Sequence, residues 1–330
     1  MQFRSEFFPS EFKNKIKHTD SLMLMGSCFT EQIGNRLLAH KFDVLQNPNG
    51  ILFNPVSISH AIETYIVNKN FTEDDLFFNN ELYGSWLHHT QFSGIDKNEV
   101  LKEINVSQAK AHAFLKKADW LVLTLGSAFI YEKVGAKEIS YTNVVANCHK
   151  VASDKFNRRL LNSNEVSQIL KEISNKLSEF NPLLKIIFTI SPVRHLREGF
   201  VENNRSKAAL IEAVHSLTSE ENILYFPSYE LVIDDLRDYR FFAEDLVHPN
   251  YAATKYIWEK FIPACFDKAS RSIIDEVNEI NSACAHKPFN KKSKAHQLFL
   301  SKYLSKTKEL QSKFPYINFE KEVAYFSGLS

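Results

Sequence analysis

Three stretches of the chain, residues 21–26, 120–126 and 185–192, are apolar almost without interruption and end on a small residue or Ser-Pro. A strand with one wet face alternates polar and apolar residues, whereas a strand covered on both faces reads as a continuous run. Such runs belong to a parallel sheet with helices on both sides. Helical patterns between them supply the layers: Ile33, Leu37 and Leu38 recur at helical spacing over 29–42, and Ile58, Ile62, Tyr65 and Ile66 follow Pro55. A short strand at 43–45 and the turn-rich 46–50 separate these two helices. Further helices are expected at 163–180, where Asn181-Pro182 stops the pattern, at 204–217 and at 252–261, with a last strand at 223–226. Alternation of this kind predicts an α/β fold whose ligands bind at the carboxyl ends of the strands.

Residues 70–110 interrupt the rhythm with acidic residues, aromatics and the cluster Trp86-Leu87-His88-His89, and are expected to form an insertion. From about residue 266 the chain becomes lysine-rich and helical. The expected organisation is therefore one domain over 1–265 and a helical C-terminal appendage over 266–330, with no internal repeat.

Composition excludes several function classes. Forty basic and 39 acidic residues leave a formal charge of +1, so no global field draws the chain to nucleic acid. No run approaches the roughly 18 apolar residues of a membrane span. Cys28, Cys148, Cys265 and Cys284 form no CxxC pair, and the opening MQFRSEFF has no signal-peptide pattern, so a cytoplasmic setting is expected. His88, His89, His149, His195 and His248 fall on presumed loops, but none shows H-x-x-x-H or H-E-x-x-H spacing, and neither a metal nor a cofactor is expected.

The chemistry is expected at Gly26-Ser27-Cys28-Phe29, directly after the first strand. A glycine before the serine permits a tight turn that lifts the hydroxyl to the sheet edge, and the next helix aims its N–H groups at the same point. Ser27 is then either a nucleophile or simply a helix cap. Far downstream, Asp245-Leu246-Val247-His248 offers a carboxylate and an imidazole three residues apart on one loop, a pair able to take a serine proton. Cys28 lies beside the same helix start and is a rival nucleophile, although adjacent residues in a tight turn point different ways.

The stretches Gly26-Ser27-Cys28-Phe29-Thr30, Asn47-Pro48-Asn49-Gly50-Ile51-Leu52-Phe53-Asn54-Pro55, Asn147-Cys148-His149-Lys150 and Ser191-Pro192-Val193-Arg194-His195 resemble, in order, motifs of the GSCFA family, a branch of the SGNH (GDSL-like) hydrolases. The resemblance runs from about Phe3 to Phe261. It implies a flavodoxin-like three-layer α/β/α fold, Ser27 as nucleophile and Asp245 and His248 as its partners. Thr30 stands where the family name has Ala. The Gly-x-Asn oxyanion motif of SGNH enzymes is replaced by Gly126-Ser127-Ala128, so its amide donor is absent.

Loss of one oxyanion donor typically costs about 3–4 kcal/mol of transition-state stabilisation. The expected replacements are the carboxamide of Asn147 and the backbone N–H groups of Gly50 and of Ser27 or Cys28; Asn147 could equally form an Asx-turn. His149 either orients substrate or is a buried, hydrogen-bonded structural residue. Arg194 and His195 follow a strand end and are expected to bind substrate, with a pairing of Arg194 to Glu202 as the alternative. Trp86 and His88 either stack on a sugar or pack the insertion. These readings describe a serine esterase or acyl-transfer enzyme acting on a small-molecule or carbohydrate ester. The alternative is a non-catalytic protein that binds a carbohydrate or acyl ligand on the same scaffold.

Overall fold

The computed structural model describes residues 4–134, 143–219 and 222–328; Phe3, where the family resemblance begins, lies outside them. The elements of the first half are β1 (Ser21–Gly26), α1 (Cys28–Ala39), β2 (Asp43–Gln46), α2 (Pro55–Ile66), β3 (Phe77–Asn79), β4 (Leu82–Gly84), α3 (Lys97–Lys117) and β5 (Trp120–Leu125). The second half adds β6 (Phe129–Lys133), β7 (Phe156–Leu160), α4 (Ser163–Phe180), β8 (Lys185–Ile190), α5 (Phe200–His215), β9 (Ile223–Tyr225), α6 (Ser228–Glu230) and α7 (Tyr251–Cys265). Three helices close the chain: α8 (Lys268–Ala285), α9 (Lys294–Lys313) and α10 (Glu320–Phe326).

Five parallel strands form the central sheet in the order β2-β1-β5-β8-β9. The chain winds outward in both directions from between β1 and β5, which makes the carboxyl end of that pair the switch point where such sheets open a ligand crevice. Successive residues of one strand feed opposite cores. Met23, Met25, Leu121, Leu123 and Phe188 pack under α2, α3, α4 and α5, while Leu22, Leu24, Trp120, Val122 and Ile187 pack under α1 and α7. Each such leucine, closed off from water on a doubly covered strand, contributes about 2 kcal/mol.

The interruption seen in the sequence ends sooner than its residues suggested. Its aperiodic part is the β3–β4 hairpin and two single turns, and from Lys97 the chain is the long helix α3, capped by Asp96, whose side chain accepts from the N–H of Asn98 and Glu99. The stripe that α3 buries, Val100, Ile104, Gln108, Ala111, Phe114 and Leu115, has helical spacing, but a glutamine and an alanine sit in its middle. A second departure is the antiparallel hairpin β6–β7, which stands outside the main sheet beside its carboxyl edge.

Helices α8 to α10 surround a cluster of their own, including Val277, Ile280, Leu310, Phe319 and Phe326. They brace the far end of α1. Asn281 Nδ2 donates to Ala39 O at 2.8 Å, and Lys41 Nζ meets Glu322 at 2.6 Å.

Candidate active site

The turn after β1 is dictated by Gly26. Its φ is +143°, and a Cβ there would run into the Thr124 carbonyl on the neighbouring strand. Only glycine lets the chain pass so close to β5 before turning into α1. Ser27 follows in extended conformation, nearly buried, as the N-cap of α1: its Oγ accepts from Phe29 N at 3.3 Å, and its own N–H donates to Thr124 O at 3.1 Å. The next residue, Cys28, points into the core packing under α1, and burial pushes its thiol pKa up, which disfavours it as a nucleophile.

Asp245 and His248 come from the loop before α7. Asp245 Oδ2 lies 2.7 Å from His248 Nδ1, and Oδ1 accepts from the N–H of Val247 at 2.9 Å and of His248 at 3.0 Å. With the backbone N–H of His248 the largest contributor, then the imidazole and then Val247, this cage holds the Asp245 carboxyl down at about 2. The carboxylate keeps the proton on Nδ1, so Nε2 retains its lone pair. Both side chains are about half exposed.

Arg194 ties this loop to the sheet. Its N–H donates to Val247 O at 3.1 Å, and its guanidinium lies over the rings of Phe242 at 4.1 Å and Tyr239 at 4.9 Å. That placement corrects the alternative reading of Arg194, since Glu202 pairs with Arg205 instead, and it leaves Arg194 Nη1 without a hydrogen-bond partner beside the loop before α7. His195 lies over the end of β5, with its ring on Phe53 and Nε2 unpartnered just above Gly126. Burial first, then the nearby charges of Lys207 and His248, holds the imidazole down at about 3, so it is neutral. Among the described residues no hydrogen bond joins Ser27 Oγ to His248 directly. Apo sites often leave such contacts to tighten with substrate.

Beside this edge opens a cavity of about 410 Å³, lined by Phe53, Asn54, Phe129, Ala146, Asn147 and His195, with Tyr131 and Glu198 on its wall. Tyr131 OH donates to Glu198 at 2.9 Å, and burial together with that carboxylate pushes the phenol up to about 12.

The sequence profile of the GSCFA family matches residues 21–261, and that of the GSCFA domain protein C-terminal domain matches residues 277–328. The chain belongs to the GSCFA family. Among curated proteins none matches it. The solved structure of a carbohydrate esterase family 3 protein from Talaromyces cellulolyticus aligns over 79% of this chain and 99% of its own, at 12% identity and a TM-score of 0.36, too loosely to speak for chemistry.

In this GSCFA chain the expected oxyanion donors are partly engaged elsewhere. Gly50, at φ +76°, donates its N–H to Asn47 O at 2.8 Å and packs on His89, while Asn47 Oδ1 in turn accepts from Gly26 N at 3.0 Å. Gly50 therefore builds the turn that supports the Gly26-Ser27 loop; it offers no free donor, which corrects its assignment. Asn147 Oδ1 accepts from His149 N at 2.8 Å, the Asx-turn, and the residue faces the cavity. The N–H of Cys28, the first of α1, lies against its own thiol, which it and the N–H of Phe29 pull down against the larger push of burial.

Two further expectations give way to packing. His88 is buried against Phe71 and Phe92, with Nδ1 2.9 Å from Ser85 Oγ, and burial holds its pKa down at about 3; it is not part of the cavity lining. Trp86 stacks on Phe77 at 3.9 Å inside the inserted unit. His149 borders the cavity, yet Nε2 contacts Ser85 O at 3.0 Å and Nδ1 contacts Ser93 Oγ at 3.3 Å, so its ring is committed to the fold.

Sequence reasoning missed one group. Asn203, Ser206 and Lys207 share one face of α5 and reach the loops at the carboxyl edge: Asn203 Oδ1 accepts from His195 N at 2.9 Å, and Ser206 Oγ accepts from Ala128 N at 2.7 Å. The only signal was polar residues at i, i+3 and i+4 in register with apolar Leu210 and Val214. Among the described residues no group of three His, Cys, Asp or Glu side chains could hold a metal, and no helix is long and apolar enough to cross a membrane.

Proposed function

We propose that this protein is an SGNH-type serine hydrolase that cleaves or transfers small acyl esters, acetyl esters of carbohydrates being the class that suits its cavity. Ser27 Oγ attacks the ester carbonyl while His248 Nε2 takes its proton. Asp245 holds the imidazole in the tautomer that leaves Nε2 free. Collapse of the tetrahedral intermediate breaks the ester C–O bond, and the alcohol leaves with the proton held on His248 Nε2; water or an acceptor hydroxyl, deprotonated by His248, then attacks the acyl-enzyme, and the proton returns to Ser27 Oγ as the acyl group departs. The observation that carries this reading is the 2.7 Å contact of Asp245 with His248 Nδ1 on the same sheet edge as the Gly26-Ser27 turn.

The cavity beside the edge is not lined by Ser27, Asp245 or His248; what supports the substrate class is that its neighbouring wall carries apolar Phe53, Phe129 and Ala146 together with polar Tyr131, Glu198 and Asn147, which suit the sugar portion of an ester. A second reading, a binding protein without turnover, is favoured by one observation, the engagement of the Ser27 and Gly50 N–H groups with Thr124 and Asn47. Fluorophosphonate labelling separates the two. The hydrolase is expected to be labelled, and labelling is expected to vanish in Ser27→Ala. Wild type that stays unlabelled favours the binder, and labelling that persists in Ser27→Ala removes Ser27 as nucleophile.

A further inference from the structure

Lys207 is fully enclosed beneath the carboxyl edge of the sheet. Its Nζ donates to Gly126 O at 2.6 Å and to Ser191 O at 2.7 Å, the carbonyls that follow β5 and β8. Among the described residues no carboxylate lies within ion-pair distance of it. A buried ammonium without a counter-ion is costly, and a methionine of similar length would avoid that cost, so plain packing does not account for it.

Its location does. Parallel strands end in carbonyl oxygens, and at a switch point those oxygens converge where a reacting ester would place its developing negative charge. Drawing the Gly126 carbonyl down to Lys207 turns the same peptide the other way, and Ser127 N then donates to Phe53 O at 3.1 Å. The charge of Lys207 is felt on both sides of the edge. It lowers the Cys28 thiol against the dominant upward push of burial, and it adds to the burial that keeps His195 neutral. The groups that face Lys207 are Cys28 from α1, His195 from the loop after β8, with His248 beyond it, and the ring of Tyr229 from α6 at 5.7 Å.

We propose that Lys207 is the positioning residue of the oxyanion site: its ammonium withdraws the Gly126 and Ser191 carbonyls from the edge in front of Ser27 and supplies the positive potential there. This rests on the esterase reading. It answers the absence of a Gly-x-Asn carboxamide, because an enclosed charge acts on the oxyanion without touching it. Burial holds Lys207 at about 7, so the charge is present below neutral pH and fades above it.

The test measures p-nitrophenyl acetate turnover and fluorophosphonate labelling of the full chain from pH 6 to 9, for wild type, Lys207→Met and Lys207→Gln, with folding checked by near-ultraviolet circular dichroism. We expect folded variants to lose at least about tenfold in kcat with KM changed less than about twofold, as befits a group acting in the transition state. Wild type should lose activity as pH rises above neutral, and the variants should lack that decline. A folded variant with wild-type kcat, or one that keeps the alkaline decline, overturns the proposal. If neither variant folds, the wild-type labelling rate decides: a decline through neutral pH supports the role and a flat profile sinks it. Wild type that never labels at Ser27 sinks the esterase reading and this inference together, whereas normal labelling in both variants sinks this inference alone.

Discussion

The loop before α7 and the inserted unit both meet histidines, and the two regions hold them in opposite ways. In the loop, His248 has one nitrogen fixed by Asp245 and about half of its side chain open to solvent. In the inserted unit, His88 is sealed between Phe71 and Phe92, and the segment before β7 lays His149 on that unit with both nitrogens taken by Ser85 and Ser93. A histidine can trade protons only if one ring nitrogen is oriented and the other is left available. By that measure the loop is arranged for chemistry and the inserted unit for shape.

The comparison can be broken most sharply at its reactive end. Ser27→Ala and His248→Ala are each expected to reduce turnover of p-nitrophenyl acetate by about 10³-fold or more. A His248→Ala protein with near-normal turnover would put the two regions on the same footing. At the structural end, His88→Ala should cost about 3 kcal/mol of unfolding free energy in urea, through the void it leaves between two rings, while Ser27 labelling persists.

Acid should act on the inserted unit next. The folded pKa of His88 is held at about 3, below the ordinary value of 6.5, so its contribution is complete above 6.5 and is lost as pH falls towards 3. Lowering pH from 7 to 5 should cost about 2 kcal/mol through His88 alone, and urea titrations of His88→Gln should show a shallower pH slope. A smaller effect is expected from Arg194→Met, which removes the guanidinium from Phe242 and Tyr239: about a tenfold loss in kcat, as each stacking contact holds the loop by about 0.5–1 kcal/mol. The smallest belongs to Asn147→Ala, about threefold or less in turnover, since its carboxamide oxygen serves the local turn.

Much of the frame was legible because it depends on neighbours in the sequence. The runs at 21–26, 120–126 and 185–192 are the central strands β1, β5 and β8, and Asp245 and His248 were spaced to meet within their own loop. What stayed hidden depends on partners far along the chain. The stripe of α3 is blurred by Gln108, which is buried only because Thr64 receives its amide. Lys207 looks like a surface lysine until β5 and β8 place two carbonyls over it. Gly50 is a different case: its N–H goes to Asn47 O within the local turn that Asn47-Pro48-Asn49-Gly50 already signals.

The sheet order β2-β1-β5-β8-β9 also sets a schedule for the growing polypeptide. The strand that ends in Gly26 gains its β2 neighbour almost at once, but β5 arrives only with Trp120 and the Asp245 loop later still. At ribosomal speeds of about 5–20 residues per second, Ser27 therefore spends many seconds outside the tunnel before Asp245 and His248 have been made. Whatever reactivity the finished protein has cannot appear on the nascent chain until the C-terminal side of the sheet has closed over it.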